Sequence, residues 1–263
     1  MNKNCPYFEL NCNELQCDCP KYKAYVDAKN LDIFHRVIKE NGFDLTQSTF
    51  DLIMSMQHSF ASRMRKVDGL TKEEQDIWID KYLVCIEDEV REVREHLNIY
   101  CDDKKYNSDD DRNIELKKEV IDILHFVMEL FIVGNAGQKD IKKYYNEFIA
   151  IDKDEDLIHT AYQAQKDKVF YYLNGNRKPN SDITILKASC KLLDACSLVR
   201  QQISWKHWKK PNKFINYDSL YRAYAAVFYE FINLCVLTMD ESEIKSIYIQ
   251  KNVENILRQE YGY

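Results

Sequence analysis

Residues 114–132 read IELKKEVIDILHFVMELFI. Apolar side chains surround most of this segment if it is wound as a helix, from Ile114 and Leu116 through Val120, Ile121 and Leu124 to Phe131 and Ile132. Its polar residues Glu115, Glu119, Asp122, His125 and Glu129 recur at spacings of four, three, three and four. That pattern is one narrow polar seam on an otherwise apolar helix. A surface helix would show a broad polar face. An acidic seam on a central helix costs free energy unless it faces a metal, a ligand or a cation. The stretch therefore predicts a buried helix at the centre of a helical fold, with a functional line of carboxylates along it.

A second acidic pair precedes it. Glu89-Val90-Arg91-Glu92 matches the spacing of Glu119-Val120-Ile121-Asp122, and positions i and i+3 share one helix face. By 100° steps Glu89 falls about 20° outside the apolar stripe Tyr82, Ile86, Val90, Val93 and Leu97, and Glu92 about 60° further round. Read alone, EDEVREVRE is a solvated charged face; Glu89 stands apart because it borders the buried stripe. Two such helices packed together aim four carboxylates at one point, where they repel unless a cation lies between them. A hard divalent ion suits four oxygen donors, Mg²⁺ first and Mn²⁺ as the alternative.

Composition agrees with an all-α multi-helix bundle. The chain has 263 residues and is 45% hydrophobic, so it is long and apolar enough for a substantial core. Only six glycines and four prolines occur, too few for the many turns of a sandwich or barrel. The formal net charge of −6 argues against nonspecific binding to nucleic acid. No uninterrupted apolar run reaches the roughly 18 residues of a membrane span, and the N-terminus lacks an apolar signal core. The expected setting is cytoplasmic and reducing, with the nine cysteines as thiols.

Along the chain, residues 1–20 form a Cys-rich extension, in which Cys5, Cys12, Cys17 and Cys19 could hold a structural zinc or simply belong to a small cap. Helices are predicted over 21–41 (with Tyr25, Val26, Leu31, Phe34 and Val37 apolar), from Gln47 to Val67, and from the capped start at Thr71 to Leu97. A polar loop at 99–112 precedes the seam helix, which Gly134 and Gly137 end. Further helices are expected over 139–151, 155–174, 183–203, 216–238 and 241–259. Gln57, among the apolar residues of its helix, is either a helix-to-helix hydrogen bond or an amide that reads a ligand. The loop Trp205–Pro211, with Trp208 and Lys209, suits stacking on a ring beside a phosphate, or is a surface turn anchored by its tryptophans. Lys251, Asn255 and Arg258, at spacings of four and three, set two cations and an amide on one helix face, which suits a nucleotide. Ser197–Arg200 with the helix Leu220–Leu234 weakly echoes Glu89–Glu92 with Glu119–Phe131, without the carboxylates. Two helical halves, about 46–176 and 182–263, follow from that echo.

These motifs resemble the dimeric, all-α dUTPases of the all-α NTP pyrophosphatase superfamily. The family's E-x-x-E helix is matched by Glu89 and Glu92, and its E-L/I-x-D-x-x-H-F helix by Glu119, Asp122, His125 and Phe126. Its C-terminal K-x-x-x-N-x-x-R-Q-x-x-G-Y pattern is complete here in Lys251, Asn255, Arg258, Gln259, Gly262 and Tyr263. The resemblance covers about residues 46–263. It implies one nucleotide pyrophosphatase domain over 21–263 and a homodimer acting on a small nucleotide. It also implies Mg²⁺ on Glu89, Glu92, Glu119 and Asp122, with Glu89 orienting the attacking water. By the same resemblance, Asn255 reads the uracil edge, Gln57 and His125 line the nucleoside pocket, and Lys251, Arg258 and Tyr263 hold the phosphates. The expected reaction is hydrolysis of dUTP to dUMP and pyrophosphate. The alternatives are a related pyrophosphatase acting on dCTP or a non-standard triphosphate, and a non-catalytic helical interaction protein whose seam pairs with a partner's cations.

Overall fold

The computed structural model describes residues 20–99, 108–152, 154–172, 182–204 and 216–262. Cys5, Cys12, Cys17, Cys19, Trp205–Pro211 (hence Trp208 and Lys209) and Tyr263 lie outside the described residues. Among the described residues the chain forms ten helices and no strand. These are α1 (Pro20–Asp27), α2 (Leu31–Glu40), α3 (Thr49–Met64), α4 (Lys72–Glu95) and α5 (Asp109–Val133), then α6 (Gln138–Tyr145), α7 (Leu157–Tyr172), α8 (Asp182–Arg200), α9 (Tyr217–Thr238) and α10 (Glu241–Glu260).

Helix α5 is the axis of the fold. It packs along α4 and also against α3, α9 and α10. Val120, Ile121, Ile123, Leu124, Val127 and Leu130 are fully buried, so the apolar rim around the seam is core. Aromatic rings continue the core outward: Phe131 stacks on Phe50 at 6.3 Å and meets Phe228 of α9 at 6.0 Å. A second pair, α8 and α9, packs against α4, α5, α6 and α7. Arg200 at the end of α8 ties it to α4 through Asp80 at 3.0 Å and Glu87 at 2.6 Å. By length and composition α9 is long and apolar enough to cross a membrane, and 67% of the window that qualifies is buried inside the fold. The charged Asp218, Arg222 and Glu230 interrupt it, so a count of unbroken apolar runs passes it over.

Local chemistry sets the helix ends. Thr71 and Glu74 form a reciprocal capping box at the start of α4: the Glu74 N–H donates to the Thr71 hydroxyl at 3.2 Å and the Thr71 N–H to the Glu74 carboxylate at 2.7 Å. The single helix expected over 21–41 is two. Asn30 accepts from the N–H groups of Asp32 and Ile33 and starts α2 afresh. The expected apolar face shifts as a result. Leu31 is 70% exposed, while Val37 and Ile38 are buried. Helix α5 begins five residues before Ile114, because Ser108 caps it and three aspartates in its first turn complement its dipole. The acidic composition of 109–111, read as loop, is a helix N-terminus.

Candidate active site

Helix α4 carries Glu89 beside the buried Val90, and α5 presents Glu119 and Asp122. One carboxylate oxygen from each of the three lies within 4.8 Å of the other two. All three side chains are half-buried. Charge crowding in that setting has a direct signature. Burial first, then the charges of Asp122, Glu92 and Glu119, push the Glu89 carboxyl up to about 8. Glu92 lies at the rim, with Arg91 at 3.7 Å, and falls outside the three-residue cluster. Its carboxyl is also raised, by burial and then by Glu119. His96, nearly buried, stands 3.5 Å from Glu119.

Helix α10 brings the cation. The Lys251 ammonium pairs with Asp122 and donates to the Lys118 carbonyl at 3.3 Å. Burial works against its charge, but Asp122 and then Glu119 outweigh burial and hold its pKa above the ordinary lysine value. Two turns on, the Arg258 guanidinium pairs with Glu254 and donates to the Asn255 side-chain oxygen at 3.4 Å. Lys251, Asn255 and Arg258 therefore lie together on α10, with Lys251 nearest the carboxylates.

Behind the carboxylates runs a buried polar chain. His125 lies 3.0 Å through Nδ1 from the Ile121 carbonyl, an acceptor only, so the proton sits on Nδ1. Among the described residues its buried Nε2 has no hydrogen-bond partner. Burial pushes the imidazole down to about 4, so the ring is neutral near pH 7 and Nε2 offers a lone pair. The ring stacks on Tyr248 of α10 at 4.3 Å. The Tyr248 hydroxyl donates to Gln57 Oε1 at 2.7 Å, and Gln57 Nε2 donates to Glu129 at 2.7 Å. Arg65 closes the chain with an ion pair to Glu129 at 2.5 Å and a hydrogen bond to the Tyr82 oxygen at 2.8 Å. Gln57, 2% exposed, thus ties α3 to α5 and α10 through the two ends of its amide, each of which keeps one further hydrogen-bonding position.

Sequence reading placed Glu129 on the seam but missed Arg65 and Tyr248. Tyr248 carried a usable signal, since it precedes Lys251 by three residues and Asn255 by seven, on the same face of α10. Arg65 carried none, because it stands just past the end of α3.

A family model described as dUTPase matches residues 49–263. The chain belongs to the all-α dUTPase family. No curated protein and no solved structure matches it. The matched segment of this dUTPase-family chain starts at the first residue of α3 and takes in all of α4, α5 and α10. It therefore contains the acidic cluster, the cation on α10 and the buried polar chain. Membership makes the protein a nucleotide pyrophosphatase, an enzyme of nucleoside triphosphate hydrolysis.

Proposed function

We propose that this dUTPase-family enzyme hydrolyses dUTP to dUMP and pyrophosphate with Mg²⁺, Mn²⁺ being the alternative ion. The observation that carries the reading is the convergence of Glu89, Glu119 and Asp122 within 4.8 Å with Lys251 against Asp122. A hard divalent cation fits this donor set. Burial, and then the charges of Asp122, Glu92 and Glu119, raise Glu89 to about 8, and an oxygen-loving ion at the centre relieves that penalty. Glu89, Glu119 and Asp122 would hold the ion, with Glu92 joining from the rim. When bound, it would neutralise phosphate charge and polarise the scissile phosphoryl group.

The protein's own groups supply the rest. Glu89 would orient the attacking water and accept its proton. The water oxygen bonds to phosphorus, the bond between the α- and β-phosphates breaks, and pyrophosphate leaves. Lys251 and Arg258 would bind the phosphates, with Tyr263 joining them. His125 Nε2, unprotonated and without a partner among the described residues, would accept a hydrogen bond from a sugar hydroxyl. Asn255 and Gln57 would read the base. A homodimer and a cytoplasmic location complete the proposal, as the family and the sequence imply. Pyrophosphate release from dUTP, dCTP and dTTP, with Mg²⁺ and with chelator, tests it. Mg²⁺-dependent release with dUTP preferred is expected; equal release from all three, or release indifferent to chelator, overturns it.

A further inference from the structure

We infer that Glu129, held by Arg65, locks the Gln57 amide in one orientation, and that this lock sets base discrimination. The inference rests on the dUTP reading above and concerns Glu129 and Arg65, which act on the base only through Gln57. An amide side chain presents a donor at one end and an acceptor at the other, and a half-turn exchanges them. A glutamine free to turn accepts uracil and cytosine alike, because the two bases carry opposite donor and acceptor patterns on their pairing edge.

Gln57 is not free to turn. Glu129, ionised against Arg65 at 2.5 Å, offers acceptors only. The group that faces it at 2.7 Å must therefore be Nε2. Oε1 then faces Tyr248, whose hydroxyl donates at 2.7 Å. A turned amide would set Oε1 against a carboxylate in a buried site, which is strongly unfavourable. After these two bonds Gln57 keeps one Nε2 hydrogen and one Oε1 lone pair. Uracil matches them, its N3–H donating to Oε1 and its O4 accepting from Nε2. Cytosine in the same pose sets its bare N3 against Oε1 and its amino group against Nε2, leaving both polar groups unpaired. Arg65 and Glu129 act here as positioning residues. Arg65 is itself braced by the Tyr82 oxygen and lies over the Trp78 ring at 5.0 Å.

The test compares kcat/KM for dUTP and dCTP in wild type, Glu129→Gln and Tyr248→Phe. A glutamine at 129 offers either end of its own amide, so Gln57 regains its turn. The ratio of dUTP to dCTP is expected to fall by about tenfold or more, since mispaired polar groups in a site can be worth several such factors. Tyr248→Phe removes only the donor to Oε1 and keeps the ring against His125. A smaller fall, of about two- to fivefold, is expected there, because Glu129 still holds Nε2. A merely structural role would lower both substrates in parallel and leave the ratio unmoved. If wild type prefers dUTP and both variants keep its ratio, the lock is overturned and the dUTP reading stands. If wild type shows no preference for dUTP, the base reading falls and the lock with it. If Glu129→Gln, which leaves Arg65 unpaired, does not fold, the double variant Glu129→Gln with Arg65→Met, which leaves no buried charge unpaired, replaces it and is read in the same way.

Discussion

Glu89 borders the buried stripe of α4, and its carboxyl is held at about 8 by burial and by Asp122, Glu92 and Glu119. In the unfolded chain the same group has its ordinary value near 4.5. Between those two values the folded protein binds the extra proton, so stability falls as pH rises through that window. The contribution is complete below about 4.5 and gone above about 8. Glu89→Gln mimics the protonated group. In chelator, the variant is expected to melt at or above the wild-type temperature, with the margin widening from pH 6 to pH 8. Added Mg²⁺ should raise the wild-type melting temperature more at pH 8 than at pH 6, because ligands must shed protons to bind metal. The same variant should lose turnover by about 10²-fold or more, the scale of a removed proton acceptor. Thermal melts at two pH values beside a pyrophosphate assay check all three; an active variant at saturating Mg²⁺ would refute the role of Glu89. The carboxylates were legible in the sequence because helical spacing alone puts Glu119, Asp122, His125 and Glu129 on one line. The partners were not. Arg65 meets Glu129 across 64 residues and Tyr248 meets Gln57 across 191, and no local period encodes such pairs.

Helix starts and stops reflect single side chains, and they show where local sequence rules suffice. Thr71 was readable because its capping box lies within four residues. Asn30, inside what reads as one amphipathic helix, was not, since an asparagine caps a helix or sits within one depending on what packs behind it. Gly134 ends α5 for a reason beyond its sequence neighbours. Its backbone is ordinary right-handed at φ −80°, so no glycine is required for conformation. A Cβ placed there would instead stand 2.5 Å from the Tyr224 ring of α9. That ring is fully buried and packs on Phe131 at 5.6 Å, so it has nowhere to move. Gly134→Ala is expected to destabilise the protein by about 1–3 kcal/mol, the usual cost of overpacking a core. Asp156 provides a second case between elements. Its carboxylate accepts from the Phe50 N–H at the start of α3 (3.0 Å) and from the Ile158 N–H in α7 (2.7 Å). Asp156→Ala removes the caps of two helices at once and is expected to cost about 1–2 kcal/mol, measurable by urea denaturation. A shift in midpoint without a change in slope is the outcome that fits a lost cap.

The weak echo between Glu89–Phe131 and Ser197–Leu234 suggested two helical halves, and the helices of those two stretches pack against one another. Helix α10, last in the chain, lies against α1, α2, α3 and α5, while α8 and α9 lie against α4 to α7. Buried apolar residues from Ala24 of α1 to Leu257 of α10 belong to one contiguous cluster. Each half therefore covers apolar surface of the other, and Lys251 brings its charge to carboxylates that lie about 130 residues earlier. We propose that neither half keeps its core closed without its counterpart. We expect one cooperative unfolding transition for the whole chain, with far-ultraviolet circular dichroism and tyrosine fluorescence superimposing along a urea titration. A chain truncated after residue 176 lacks α8, α9 and α10 and exposes the faces of α3 and α5 that they cover. It should show no cooperative transition and should bind an apolar dye. Two separated transitions in the full chain, or a cooperative melt of the truncated one, would mean that each half folds by itself. The acidic cluster of α4 and α5 would then form without α10, and Mg²⁺ would stabilise the fragment as it does the full protein. Loss of that stabilisation together with the fold is the expected result, since α10, which packs on α3 and α5 and so helps hold the carboxylates together, is missing from the fragment.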